Sequence, residues 1–141
     1  MSTTEDIKAL GRRIPLEAFN QGNKAVFDEV VAADADDHLP PPGLPPGREG
    51  YKQFVTMLRA AFPDIHYTVN VEVAEGDKMM HHTTARGTHR GAFLGIAPTG
   101  KQVTWNEMHI LRFANGQAVE HWGNVDQLSI LQQLGVIPAA G

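Results

Sequence analysis

"VTWNEMHILRFANGQAVEHWGNVD", residues Val103 to Asp126, decides how the second half of this chain folds. Apolar, β-branched and aromatic residues alternate with polar ones on either side of a single Asn-Gly turn signal, the pattern of a β-hairpin. A three-residue loop, Ala114 to Gly116 with Gly116 left-handed, closes the hairpin at Phe113 and Gln117. Counting outward sets Leu111 opposite Val119, His109 opposite His121, Glu107 opposite Gly123 and Trp105 opposite Val125. One face then mixes Val103, Trp105, Leu111, Phe113 and Val119 with Glu107, His109 and His121. The other carries Thr104, Asn106, Met108, Ile110 and Arg112 opposite Ala118, Glu120, Trp122 and Asn124. There Met108 can pack on Trp122, and Arg112 can pair diagonally with Glu120. A strict two-residue turn is the alternative, and it would bring Trp122 beside His109.

A carboxylate and two imidazoles on a core-facing surface are costly unless they pair or line a wet cavity. A Glu–His pair satisfied inside an ordinary core is one reading. Three such groups beside an aromatic residue point instead to a ligand pocket.

Upstream of the hairpin, "IHYTVNVEVAEGDKMMHHTTARGTHRG" reads as two further strands around a turn at Glu75-Gly76-Asp77. His81 and His82 are adjacent there and so point to opposite faces. At most one reaches a pocket, and of the two His82 is carried forward. "GAFLGIAPTG" is a connection. "REGYKQFVTMLRAAF" has a helical stripe of Tyr51, Phe54, Val55, Leu58 and Phe62, stopped by Pro63. "HLPPPGLPPGREG" before it is a stiffened loop, read as a structural lid. The N-terminal segment predicts a helix through Ile7, Leu10, Ile14, Leu16 and Phe19, capped by Thr3 or Thr4 and kinked or broken by Pro15. Val26, Val30 and Val31 start a second short helix, with "ADADDH" as its end and a solvated turn. Asp126 and Gly135 bound a closing helix. Helices followed by antiparallel strands give an α+β class, with helices packed on one curved sheet.

The 141 residues form one domain, 1–141, with 42% hydrophobic and 20% charged residues. A net charge of -4 without a basic run argues against nucleic acid as a partner. No apolar stretch is long enough for a bilayer and the N-terminus lacks a signal-peptide shape, so no membrane partner and a cytoplasmic location are expected. The absence of cysteine excludes disulfides and thiolate chemistry. Ser2 and Ser129 are the only serines, and neither sits in a nucleophile elbow. Glu107, His109 and His121 are a conceivable facial triad, but no HExxH-type pattern supports it, and no metal is expected.

"PGREG", "FPDIHYTV", "EGDKMMHHTTARGTHRGAFLGIAPTGK" and "VEHWGNVDQLSILQQLG" together resemble the SnoaL-like polyketide cyclases, also called ester cyclases, of the nuclear-transport-factor-2-like superfamily. The likeness runs over nearly the whole chain. It implies a cone, a strongly bent antiparallel sheet packed with N-terminal helices around a ligand pocket, and a homodimer. It also implies intramolecular aldol chemistry on a polyketide methyl ester without a cofactor. The family pattern places a histidine at His109 and a carboxylic acid after the tryptophan of "EHW". Here that position is Gly123. His38 matches a histidine that family members often carry at the pocket mouth, and His89 in "GTHRG" matches a family motif, with holding the following turn as its expected role.

The reading on these residues is a cofactor-independent, acid–base cyclase of a small, apolar or aromatic carbonyl compound. Glu107 and His121 are the proposed proton-transfer groups and His109 the oxyanion donor. Trp105, His38, His82, Phe54 and Leu111 are assigned to substrate binding. Two alternatives stand beside it. One is isomerase or epoxide-hydrolase-like chemistry in the same pocket; the other is a binding protein without catalysis, for which Gly123 is the best argument.

Overall fold

The computed structural model describes residues 2–138. The first helix, α1 (Thr4–Arg13), starts from a reciprocal cap: the Thr3 hydroxyl accepts from the Asp6 amide, and the Asp6 carboxylate accepts from the Thr3 amide. At Pro15, where a kink or break is expected, the regular α-helical geometry ends. The chain widens into a π turn over Ile14–Phe19, which relieves the clash between the proline ring and the preceding turn. Next comes α2 (Val26–Val30), followed directly by a strand, β1 (Val31–Asp37). The sequence reading put Val31 in the helix and "ADADDH" in a solvated turn. Ala and Asp have little strand preference of their own, and here the neighbouring strand supplies the hydrogen bonds that decide the matter.

After the proline-rich loop, α3 (Arg48–Ala61) carries the expected apolar stripe. The sheet is completed by β2 (His66–Glu75), β3 (Lys78–Thr88), β4 (Gln102–Ala114) and β5 (Gln117–Val125), and the chain closes with α4 (Gln127–Gln133). Strand order is β1-β5-β4-β3-β2. All neighbours are antiparallel except β1, which runs parallel to β5 with Asp37 beside His121. The α+β class holds, with one parallel edge that the antiparallel reading lacked.

The β4–β5 hairpin departs from the expected pairing in an instructive way. Its loop has two residues, with Ala114 opposite Gln117 and positive φ at both Asn115 (53°) and Gly116 (77°). That turn alone would send His121 to the outer face. An irregularity follows, in which Phe113 pairs with Ala118 but Arg112 with Glu120, so that Val119 is an extra, bulged residue. The bulge restores the parity. Glu107, His109 and His121 therefore share one face, as expected, but the pairs are shifted: His109 lies opposite Gly123, Leu111 opposite His121 and Glu107 opposite Val125. Ala118 moves to the inner face, where it is buried. On the outer face Arg112 pairs with Glu120 directly rather than diagonally, at 2.8 Å, and Ile110, not Met108, is the partner of Trp122.

Core residues from both layers, among them Ile7, Phe27, Val55, Phe62, Met79 and Trp105, are nearly inaccessible. Helix-to-sheet ties set the layers in register. The Arg12 guanidinium grips Glu72 through two bonds of 2.9 and 3.0 Å. The Asn20 side chain clamps the backbone of Tyr67, donating to its carbonyl at 3.0 Å and accepting from its amide at 2.6 Å. Among the described residues, no helix is long and apolar enough to cross a membrane. The outer face of the sheet leaves Val71, Val73, Met108 and Ile110 exposed.

Candidate functional site

Between the helices and the inner face of β3, β4 and β5 lies a cavity of about 390 Å³. That is within the usual range for a small-molecule site. Its lining is mainly apolar. Leu39, Pro40, Pro41, Pro42 and Leu44 of the proline-rich loop line it, in keeping with the lid reading. Phe54, Trp105 and Leu111 line it as expected.

The polar groups gather along one wall. Glu107 is only 9% exposed, and its carboxylate accepts from three directions: the Tyr67 hydroxyl at 2.8 Å, the Trp105 indole N–H at 2.7 Å and His109 Nε2 at 2.8 Å. The other nitrogen of that ring, Nδ1, meets His121 Nε2 at 2.9 Å. His121 Nδ1 in turn lies 2.8 Å from Asp37 Oδ1 and 3.2 Å from the Tyr51 hydroxyl, which also donates to Asp37 Oδ2. The result is a continuous line, Glu107–His109–His121–Asp37, with an anion at each end. These groups are strung in series, each ring bridging two neighbours, rather than grouped around one point as a metal triad requires.

Burial would push both carboxyls up. The His109, Trp105 and Tyr67 contacts outweigh it for Glu107, and His121, Tyr51 and the Leu39 amide outweigh it for Asp37, so both lie below the usual carboxylate range. Both ends are therefore ionised near neutrality. A simple count follows. Three hydrogen bonds join the four groups and need three N–H hydrogens, whereas two neutral imidazoles bring one each. The line is complete when the two rings share one extra proton.

Gly123 explains how the rings can meet. A Cβ placed there would sit 2.5 Å from His109 Nδ1 and 3.1 Å from His121 Nε2. The position where the family resemblance calls for an acid is here given over to a histidine–histidine contact.

Two assigned residues lie elsewhere. His82 is on the outer face, hydrogen-bonded to Asn70 at 3.0 Å. The inner residue is His81, 3% exposed and edge-on to His109. Lys78 and Arg86, both in the even-numbered set of β3, mark that set as the solvent side and were the available signal. His38 does not line the cavity. It stacks on Trp122 and binds Glu120 at 2.8 Å on the rim, because β1 ends one residue earlier with Asp37 turned inward. His89 is fully buried and tied to Thr99 at 2.9 Å, holding the loop that follows.

Sequence reasoning missed Asp37, Tyr51, Tyr67, His81 and Thr83. Tyr51 read as part of a core stripe, and Asp37 could not be placed without β1.

Residues 10–134 match the SnoaL-like polyketide cyclase family. The chain is 29% identical to the aklanonic acid methyl ester cyclase DnrD of Streptomyces peucetius, over 96% of this chain and 92% of that protein. It is 27% identical to the nogalonic acid methyl ester cyclase of Streptomyces nogalater, over 85% and 91%. Among solved structures, IdmH of Streptomyces antibioticus, named as a candidate polyketide cyclase, superposes with a TM-score of 0.78 at 36% identity, covering 92% of this chain and 98% of that one. The chain with the Glu107–His109–His121–Asp37 line along its cavity belongs to the SnoaL-like polyketide cyclase family.

Proposed function

We propose that this chain is a ring-closing enzyme of the polyketide ester cyclase type, acting without a cofactor on a mainly apolar carbonyl compound. The observation that carries this reading is the 2.9 Å contact between His109 Nδ1 and His121 Nε2, anchored by Glu107 on one side and Asp37 on the other. Each ring keeps one nitrogen on its carboxylate. The two facing nitrogens are the ones released when a substrate oxygen separates the pair. Of these, one bears the shared proton and the other a lone pair, so an acid and a base stand side by side.

An intramolecular aldol addition needs that combination. The free imidazole nitrogen removes a proton from the carbon next to a carbonyl, and the enolate forms. That carbon attacks a second carbonyl carbon of the same molecule, a C–C bond forms, and the C=O π pair moves onto oxygen. The imidazolium returns a proton to this alkoxide. Substrate and product are isomers, and nothing is oxidised or reduced. Glu107, whose oxygens are already engaged three times, holds and charges His109 rather than taking the substrate proton itself.

Aklanonic acid methyl ester, the compound for which one relative is named, is the first substrate to test. In D2O the chain should convert it to a ring-closed isomer, and return of the enolate to the ketone before ring closure should place deuterium on the reacting α-carbon. His109→Asn and His121→Asn should each slow both events by about a hundredfold or more. Undiminished exchange in either variant, or wild-type protein that produces neither exchange nor isomer from this ester or its nogalonic counterpart, would refute the proposal.

A further inference from the structure

The relay does not account for every polar group in the cavity. On the inner face of β3, His81 lies opposite His109 and Thr83 opposite Glu107. They are 3% and 1% exposed, both line the cavity, and among the described residues neither His81 Nδ1 nor Thr83 Oγ1 has a hydrogen-bond partner. Buried polar groups are almost always paired, and leaving one unpaired costs as much as a lost hydrogen bond. Two such unpaired groups, two residues apart on one strand and lining one cavity, leave hydrogen-bonding capacity there for a ligand.

We propose that His81 and Thr83 form the recognition pair for an uncharged carbonyl oxygen of the ligand, a ketone or an ester, and that the same wall rejects a carboxylate. A carbonyl oxygen accepts two hydrogen bonds, which the Thr83 hydroxyl and one imidazole N–H can supply. The anion is refused for electrostatic reasons. Glu107 and Asp37 stand ionised at the two ends of the line, and its three hydrogen bonds call for one extra proton on the rings, so the wall carries net negative charge. His81 adds no compensating positive charge: burial, then the neighbouring His109, hold its pKa down at about 4, so the ring is neutral at working pH. The relatives named for methyl esters rather than free acids fit such a filter. This inference rests on the cavity being the substrate site, as proposed above, but not on the ring chemistry.

Binding can be tested with probes that have no acidic α-hydrogen: methyl 2-naphthoate, the free 2-naphthoate anion and naphthalene, titrated calorimetrically at pH 7.5. The wild type should take the methyl ester at least about tenfold more tightly than the anion. Thr83→Val, which keeps the shape, and His81→Phe should each weaken the ester about three- to tenfold and leave naphthalene unchanged. Wild-type affinity for the ester in Thr83→Val, equal loss of ester and naphthalene, or anion binding as tight as ester binding would each overturn the pair. If His81→Phe does not fold, Thr83→Val decides alone. Deuterium exchange on aklanonic acid methyl ester, measured in parallel, separates the two ideas: exchange that persists while the ester discrimination is absent rejects only the recognition pair, and the reverse rejects only the ring chemistry.

Discussion

Replacing Gly123 by alanine tests whether the histidine–histidine contact matters. The added Cβ would meet His109 Nδ1 at 2.5 Å, where ordinary contact begins at about 3.4 Å. The ring must therefore retreat by about 0.9 Å. It has little room, since Nε2 is held by Glu107 at 2.8 Å and the edge of the His81 ring closes the β3 side. Overpacking of a well-packed core costs about 1–3 kcal/mol, an upper bound for this half-buried site. For a chain of this size that lowers Tm by about 4–12 °C. The effect on chemistry should be larger, because a catalytic group displaced by about 1 Å loses about a hundredfold in rate. The assay is deuterium incorporation from D2O into aklanonic acid methyl ester, with nitrogen-15 spectra of the imidazoles reporting the coupling between the rings. A Gly123→Ala protein that exchanges within twofold of the wild type would refute the reasoning, and the contact would then be incidental.

Further outcomes are expected. Glu107→Gln replaces an acceptor of three hydrogen bonds by a group that must turn an N–H toward one of its donors, so stability should fall by about 1–3 kcal/mol and exchange by at least tenfold, read by thermal melts and the same assay. The His81 pKa, near 4 against 6.5 for a free ring, implies that the unfolded chain binds this proton first as pH falls. Stability should therefore drop between about pH 6.5 and pH 4 by about 3 kcal/mol, and His81→Phe should flatten that limb of a Tm-against-pH curve. Glu107 and Asp37 have lowered pKa values, so their contribution is present above the ordinary carboxylate range and is lost only as pH falls through it, in more acid than the His81 limb. Asn20→Ala removes both bonds to the Tyr67 backbone and should lower stability by about 1–3 kcal/mol while loosening the Tyr67 bond to Glu107, seen as reduced exchange well below the melting range. His38→Ala and His82→Ala, outside the cavity, should leave exchange within twofold of the wild type.

How much of this was legible in the sequence depends on whether the deciding interactions were local. The hairpin from Val103 to Asp126 announced its two faces through alternation, and Trp105, Glu107, His109, Leu111 and His121 fell on the inner one. The individual pairs did not follow, because the two-residue turn and the Val119 bulge offset one another and neither leaves a mark in composition. The strand Val31–Asp37 was not readable, since "VAADADD" has no strand character until β5 lies beside it. With it went Asp37, the anchor of His121. The choice between His81 and His82 was readable from Lys78 and Arg86, whose charges mark the face they share with His82 as the solvent side.

The bulge at Val119 also says what kind of change this scaffold can absorb. Val119 stands outside the β4–β5 ladder, between Ala118 opposite Phe113 and Glu120 opposite Arg112. Deleting it would leave Ala118, Glu120 and His121 to alternate as a regular strand, with His121 still opposite Leu111 on the inner face. Deleting Ala118 instead would let Val119 take its place opposite Phe113, with the same outcome. A chain one residue shorter in this stretch would therefore keep the same reactive groups on the cavity wall, the bulge having absorbed the change.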